Sequence, residues 1–398
     1  MQSGRLDSWK AIAAYLGYSQ RTVMRWHAER NLPVHRVPGG QRGSIFAFAT
    51  ELDAWLSSHA GVQGNLAPVL VHRGNPSPSY ERAKQLWEMR SEDNLNEVIE
   101  SYRSALQQDC VHAGAYAGLA CALLASSALD LIEGSIALMQ ARMAVAKALA
   151  LDPQHPEAIC AQGWIAFWGL HDPAAAARCF QQLFAADPNH DFGISGQAWL
   201  HTLLGEREQA VAAAANLLRQ TAFSTYSALV ACRIYFLNGE FRRSLHVAAQ
   251  SIASRNAGPM IRIFEALAFY KIGESEKAIR TLQRQAAVFE HAAIIGSLSY
   301  LYGMAGRYER ATSSYRLLLN MSERQEPGCS YPLAVASLGL GRHQRAIEWL
   351  ERSCKEESFH ALTLHIDPIF QSLHGNAGFE QLLRRYRQPS GVPTVSIS

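Results

Sequence analysis

From Tyr80 to about Arg387 apolar residues recur at helical spacing almost throughout, with no strand-like alternation. Within that stretch the pattern copies itself. The segments LLGEREQA, LNGEFRRS, KIGESEKA, MAGRYERA and GLGRHQRA end at Ala210, Ser244, Ala278, Ala311 and Ala346. Their turn glycines, Gly205, Gly239, Gly273, Gly306 and Gly341, are spaced by 34, 34, 33 and 35 residues. An earlier copy, GLHDPAAA, ends at Ala176 and has no glycine at the turn. Glycine suits such a turn because it enters the left-handed region without a Cβ clash. The small residue that ends each copy lets the second helix approach the first. Twelve positions earlier stand Ala198, Cys232, Ala266, Ser299 and Ala334, the expected facing notch; the Ala176 copy departs, with Trp164 there.

A period near 34 in helical sequence resembles the tetratricopeptide (TPR) repeat, and the LDP and ADP that end at Pro153 and Pro188 fit its inter-repeat proline. Two less regular copies precede the others. Glu97–Asp109 reads as the second helix of a first pair. GAYAGLACALL and ARMAVAKALALDP read as a second pair with a longer connection around Ser126 to Ile136. About eight TPR-like helix pairs are predicted. IDPIFQSLHGNAGFEQLLRRY is expected to form a capping helix pair over the apolar face of the last repeat.

The start of the chain has a different pattern. Trp9, Ile12, Ala13 and Leu16 share one helical face, with Asp7 or Ser8 as cap. Gly17 breaks that helix, Ser19 caps the next, and Gln20–Arg30 follow with Val23 and Trp26 inward. Val34–Val37 and Ile45–Phe48 read as short strands around a Gly-rich loop. Thr50, three residues before Asp53, opens a closing helix whose Leu52, Trp55 and Leu56 complete a small core. Between the two patterns Gly61, Gly64, Pro68, Gly74, Pro76 and Pro78 interrupt helical spacing. The expected organisation is therefore a domain over 1–59, a linker over 60–79, a repeat domain over 80–387 and a tail over 388–398.

Composition and charge sharpen this division. The chain is 48% hydrophobic and 18% charged, a globular balance. Its formal charge of +3 resides in residues 1–59, where seven basic residues meet four acidic ones; the remaining residues balance at 30 against 30. A local basic excess on a small domain points to nucleic acid.

Helix, turn, helix, hairpin, helix within sixty residues resembles the winged DNA-binding domain of the MerR and excisionase families. The matching motifs are WKAIAAYLGYSQRTVMRW and ELDAWL. The resemblance implies that the second helix enters the major groove of double-stranded DNA, with Gln20, Arg21, Thr22 and Arg25 toward it. Lys10 and Ser19 are the implied phosphate contacts. The wing supplies Gln41 and Arg42, with Arg36 and His35 in support. The long dimerisation helix that follows in MerR-type proteins is interrupted here by Gly61 and Pro68.

Catalytic signals are not found. PGGQRGS lacks the lysine of a phosphate-binding loop, GLGRHQR is a repeat turn, and no H-E-x-x-H or G-x-S-x-G occurs. No metal-ligand cluster and no cofactor motif is visible, and a non-enzyme is expected. The seven cysteines form no C-x-x-C and read as buried small residues of a cytoplasmic protein. No run of eighteen apolar residues predicts a membrane span, and Met1–Lys10 is too polar for a signal peptide.

Two functions follow. One is a DNA-binding transcriptional regulator, paired as a homodimer on two half-sites, whose TPR groove binds a modulating protein, peptide or small ligand. Trp164, Trp168 and Trp199 are the candidate groove residues, with the alternative that they fill the interface between repeats. The alternative is a TPR interaction scaffold whose N-terminal domain does not bind DNA.

Overall fold

The computed structural model describes residues 5–6, 8–16, 23–24, 26–28, 31–36, 45–48, 51–52, 55, 77–221, 224–255 and 257–387. The chain divides into two compact units, Met1–Asn75 and Pro76–Ser398.

In the first unit, helix α1 (Trp9–Leu16) follows a two-residue strand, β1 (Arg5–Leu6). The α1 start is capped by Ser8, whose Oγ accepts from the Ala11 N–H at 3.0 Å. Strands β2 (His35–Arg36) and β3 (Ile45–Phe48) pair antiparallel with His35 opposite Phe46. β1 joins the other edge of β3, with Leu6 opposite Ala47, so the order is β1-β3-β2. Sequence patterning missed β1 because two residues cannot display an alternation. Ile12, Leu16, Val23, Leu32, Ala47 and Leu52 are almost fully buried, with Trp55 at the margin and Trp26 packed on them. His35 is held by Glu51 at 2.5 Å and stacks near Phe46 and Phe48, so a carboxylate already engages the expected wing-supporting imidazole.

Among its described residues the second unit has sixteen α-helices in eight antiparallel pairs, followed by a cap. The pairs are α2 (Pro78–Glu88) with α3 (Leu95–Gln108), α4 (Ala113–Ala128) with α5 (Gly134–Leu151), α6 (Pro156–Gly169) with α7 (Pro173–Ala186), and α8 (Asp191–Leu204) with α9 (Arg207–Gln220). They continue as α10 (Thr225–Leu237) with α11 (Phe241–Ala253), α12 (Ile261–Lys271) with α13 (Ser275–Ala286), α14 (Ala292–Met304) with α15 (Tyr308–Glu323), and α16 (Ser330–Gly339) with α17 (His343–Lys355). Two 3-10 turns (Phe359–Thr363 and Pro368–Leu373) and α18 (Ala377–Arg387) complete the unit.

The notch residues meet as their spacing requires. Ser244 Oγ donates to the Cys232 carbonyl at 3.0 Å and Ser299 Oγ to the Ala311 carbonyl at 2.8 Å, each across twelve residues and each fully buried. A larger residue at either place would push the paired helices apart. In the third pair Trp164 replaces the small residue. Its indole stacks on Phe192 at 4.7 Å and fits against Gly196, where a Cβ would lie 2.8 Å from its Nε1.

Gly205, Gly239, Gly273, Gly306 and Gly341 all adopt positive φ, from 68° to 92°. At the same turn of the second and third pairs Asp130 (φ 58°) and His171 (φ 52°) take that conformation without being glycine. Each forgoes about 1 kcal/mol. His171→Gly is accordingly expected to raise stability by about 0.5–1 kcal/mol, less the extra chain entropy of glycine. Gly205→His, in open space with strain as its sole cost, should lower it by a similar amount. Urea midpoints of the two variants should move in opposite directions; a common direction would mean that side-chain contacts, not the backbone, dominate.

Two expectations are corrected. The connection in the second pair is longer than the two or three residues of the later pairs, as expected, but its bounds narrow to residues 129–133, because α4 continues through the buried Ser126 and Ser127. The C-terminal cap is one 3-10 turn and one α-helix rather than a helix pair. Asp367 and Pro368 start the turn, and Gly375 at φ 85° reverses the chain before a full first helix can form. α5 is long and apolar enough by composition to cross a bilayer. It carries Arg142 and Lys147 and packs along α4 in the second pair.

Candidate functional site

The first helix of each pair carries one residue directly after the notch position: Trp199, Arg233, Leu267, Tyr300 and Val335 from the fourth pair to the eighth. With Trp164 and Trp168 these residues border the space entered by the segment that follows α17. That space is filled. Residues 356–374 pass through it, and Phe359 is fully buried there. The Phe359 ring lies 4.8 Å from Trp199 and 4.9 Å from Trp168, both edge-to-face, and 5.8 Å from Trp164. Trp168 Nε1 donates to the Glu357 carbonyl at 2.9 Å.

The expected open groove at Trp164, Trp168 and Trp199 is thus corrected. The three residues are brought together, but they are at most 2% exposed and the chain's own segment occupies the position of a ligand. Leu364, Ile369, Phe370 and Leu373 of the same segment are buried too. Each such side chain contributes about 1.5–3 kcal/mol by leaving water. A peptide entering the interior would have to replace all of that. Trp168 also borders a cleft of about 390 Å³ between the turns of the third and fourth pairs and α18, walled by Leu200, Leu203, Leu382 and Leu383.

Beside Phe359 lies a buried polar cluster that sequence reasoning did not find. Arg233 places its guanidinium 4.8 Å from the Trp199 ring and 5.3 Å from the Phe359 ring. Its Nη2 donates to His360 Nδ1 at 2.7 Å, and His360 Nε2 faces Asp130 Oδ2 at 2.8 Å. The chain Arg233–His360–Asp130 therefore links a first helix of the fifth pair, the C-terminal segment and the turn of the second pair. Tyr331 stacks on His360 at 4.5 Å and donates its hydroxyl to Asp367, whose other oxygen caps Ile369 N–H at 2.9 Å. A cavity of about 50 Å³ adjoins the cluster, with aliphatic and phenyl walls and Arg233 and Tyr331 at its polar end. It has room for water-sized guests only. The available signal was Arg233 itself, the lone charged residue in the apolar run TYSALVACRIYFL.

Burial pushes the His360 imidazole below its ordinary range and the Arg233 charge pushes the same way, with Asp130 opposing. The unfolded chain therefore takes up a proton that the folded chain refuses. His360 contributes its stability fully above the ordinary imidazole range, and that contribution is lost as pH falls through it. In urea titrations between pH 7.5 and 5, His360→Gln should show a flatter fall of stability than the wild type; parallel profiles would remove His360 from the proton linkage.

A second set of long contacts closes the array from its first pair. Arg90, after α2, is 3% exposed and lies over Trp87 at 4.3 Å and Tyr226 at 4.6 Å. Its Nη2 donates to Asp191 Oδ2 at 2.6 Å across 101 residues. Nearby Glu92 accepts from the Met260 N–H at 3.3 Å, and burial raises its carboxyl above the usual range.

Of the nucleic-acid candidates, Ser19, Gln20, Arg21, Thr22, Arg25, Gln41 and Arg42 lie outside the described residues. Lys10 sits in α1 and Arg36 in β2, opposite Ile45. Among the described residues no group of three or more His, Cys, Asp or Glu side chains could hold a metal ion.

No family profile and no curated protein matches the chain. Solved structures do. A chain of the APC/C hetero-tetramer Cut9–Hcn1 matches with a TM-score of 0.50 at 17% identity, covering 85% of this chain and 59% of that one. This chain thus spans about three fifths of the length of that protein. A tetratricopeptide repeat protein from Parabacteroides merdae matches at 0.41 and 16% identity over 65% of this chain and 98% of its own. A thermophilic TPR protein of Thermus thermophilus matches at 0.39 and 17% identity over 49% and 99%. The helix pairs with left-handed turn glycines at intervals of 33–35 residues, together with the match at 0.50, give the second unit a TPR-type fold.

Proposed function

We propose that the repeat unit is a protein-interaction scaffold whose partners dock on its outer surfaces rather than in its interior. The observation that carries this reading is Phe359, seated among Trp164, Trp168 and Trp199 where an open array would receive a ligand. A filled interior leaves a rigid body whose helix faces and turn edges are the surfaces on offer. Rigid, pre-formed surfaces bind with little ordering cost. The test is quantitative capture on immobilised full-length protein, followed by titration of each captured protein in solution. Saturable, stoichiometric binding that survives Phe359→Tyr supports the outer-surface reading. Loss of binding in that variant would return the partner to the interior, and the absence of any saturable partner would end the scaffold reading.

A second reading concerns the first unit. Its Ser8-capped helix, compact core around Ile12 and Val23, and β2–β3 hairpin favour a small DNA-reading domain with the second helix as reader. On this reading the whole chain is a regulator whose scaffold recruits a partner to DNA. Full-length protein would be selected against random duplex pools at several salt concentrations, beside an Arg21→Ala, Arg25→Ala variant. Enrichment of one motif by the wild type alone supports it, and the symmetry of the motif reports a homodimer. Recovery that is indifferent to salt and to the variant would leave the scaffold without a DNA anchor.

A further inference from the structure

We infer that the outer groove between α9 and α11 docks an acidic peptide segment that inserts one apolar side chain. This rests on the scaffold reading above and deepens it by naming a surface and the chemistry of its partner. The groove encloses about 530 Å³. Leu218, Tyr235 and Val247 form its floor and are at most 5% exposed, so the floor belongs to the packed core. Its rim is basic. On α11 His246 stands one turn beyond the adjacent Arg242 and Arg243, and Arg219 lines the same groove from α9; all four are exposed.

The charges on this rim are not neutralised locally. Glu240 is shared between Arg207 at 2.8 Å and Arg243 at 3.6 Å. Arg219 donates to the Asn216 amide oxygen at 3.2 Å, a neutral partner. Among the described residues neither Arg219 nor Arg242 has a carboxylate within salt-bridge distance. Four arginines, Arg207, Arg219, Arg242 and Arg243, thus meet one carboxylate among the described residues, a local excess within a stretch, residues 60–398, whose basic and acidic residues balance at 30 against 30. The guanidinium charges of Arg243 and Arg219 also reach the Tyr235 hydroxyl: burial raises it, and both arginines act against that rise.

The lining selects among anionic partners. Nucleic acid held on a groove of this kind needs exposed aromatic faces for its bases. The one phenol ring, Tyr235, is 4% exposed and lies flush in the floor, which leaves the His246 imidazole as the sole exposed ring in the lining, too little to hold a run of bases. An apolar floor with arginines at the rim suits a peptide, in which a leucine-sized side chain is desolvated in the centre and carboxylates pair with guanidinium groups around it.

The probe is a fluorescein-labelled peptide of five acidic residues around a central leucine, titrated with full-length protein by anisotropy. A second peptide carries serine at the centre, and a third probe is a labelled single-stranded oligonucleotide. The leucine peptide should bind, and weaken at least tenfold between 0.05 and 0.5 M salt, roughly as expected for several exposed charge pairs. Arg219→Glu with Arg242→Glu should weaken it about tenfold or more, a change of about 1.4 kcal/mol. Arg280→Glu, on the neighbouring second helix α13, should not. Unfolding midpoints of all variants are measured alongside, so a folding defect is separated from a binding one. Equal binding by the charge-reversed protein, equal binding of the serine peptide, or tighter binding of the oligonucleotide would each overturn the inference. If captured partners bind the charge-reversed variant as tightly as the wild type, this groove is wrong and the scaffold stands. If no partner is captured by either, both fall.

Discussion

Phe359→Ala is expected to destabilise the repeat unit by about 3–5 kcal/mol, the range for deleting a fully buried phenyl ring. The ring touches three indoles and one guanidinium, so the vacated volume cannot close by the motion of one neighbour. Arg233 would lose a π-face and remain buried, which adds to the loss. The expected observation is a lower urea midpoint followed by tryptophan emission, with the native baseline already shifted because Trp164, Trp168 and Trp199 report the site. A cost under about 1 kcal/mol, with an unchanged baseline, would mean that residues 356–374 rest on the array without belonging to it. The interior would then be available to partners after all.

The second large effect is expected at the Arg90–Asp191 pair. Asp191→Ala leaves a guanidinium that is 3% exposed without its carboxylate, and breaking a buried pair in this way costs about 3–5 kcal/mol. The lower end applies, because Trp87 and Tyr226 still flank the charge. The wild-type pair also has a pH signature. Burial alone would raise the Asp191 carboxyl, but the charge and hydrogen bond of Arg90 outweigh it and hold it below the usual range. Its contribution is thus present above the ordinary carboxylate range and disappears as pH falls through the depressed one. Denaturation at pH 7 should separate wild type from Asp191→Ala widely, and near pH 2 the two should converge; a constant gap would show that the variant suffers from lost packing alone.

Much of the array was legible in the sequence, and the reason is physical. A repeat must place a small residue wherever two helices cross and a left-handed residue wherever the chain turns. Ala210, Ser244 and Ala311, with Gly205, Gly239 and Gly306, therefore recur at a fixed interval. Residues 356–374 obey no such interval. They are held by contacts specific to one place, such as Lys271 Nζ on the Pro368 carbonyl at 2.8 Å and His365 on the Leu203 carbonyl at 3.1 Å. A segment shaped to fill a cavity carries the pattern of the cavity, which is distributed over the second to the eighth helix pairs. The tryptophans were legible as a group, because they cluster near one region of the chain. Their occupant was not, because a single Phe after α17 looks like any other loop aromatic. Asp130 and His360 were equally silent, each becoming meaningful only beside Arg233.

The long contacts also bear on how the chain acquires its structure. In an open helical array each repeat touches only its neighbours, so order can start anywhere and spread. Here the first pair is tied to the fourth across 101 residues and to the sixth across 168, and Trp168 is tied to Glu357 across 189. Closing such separations is slow relative to forming the helices themselves. During synthesis the early pairs would emerge with Trp164, Trp168 and Trp199 bare, waiting for a segment made nearly two hundred residues later. The interval before Phe359 arrives is when the nascent array is most exposed to aggregation. Once closed, its repeats should melt together rather than fray from an end.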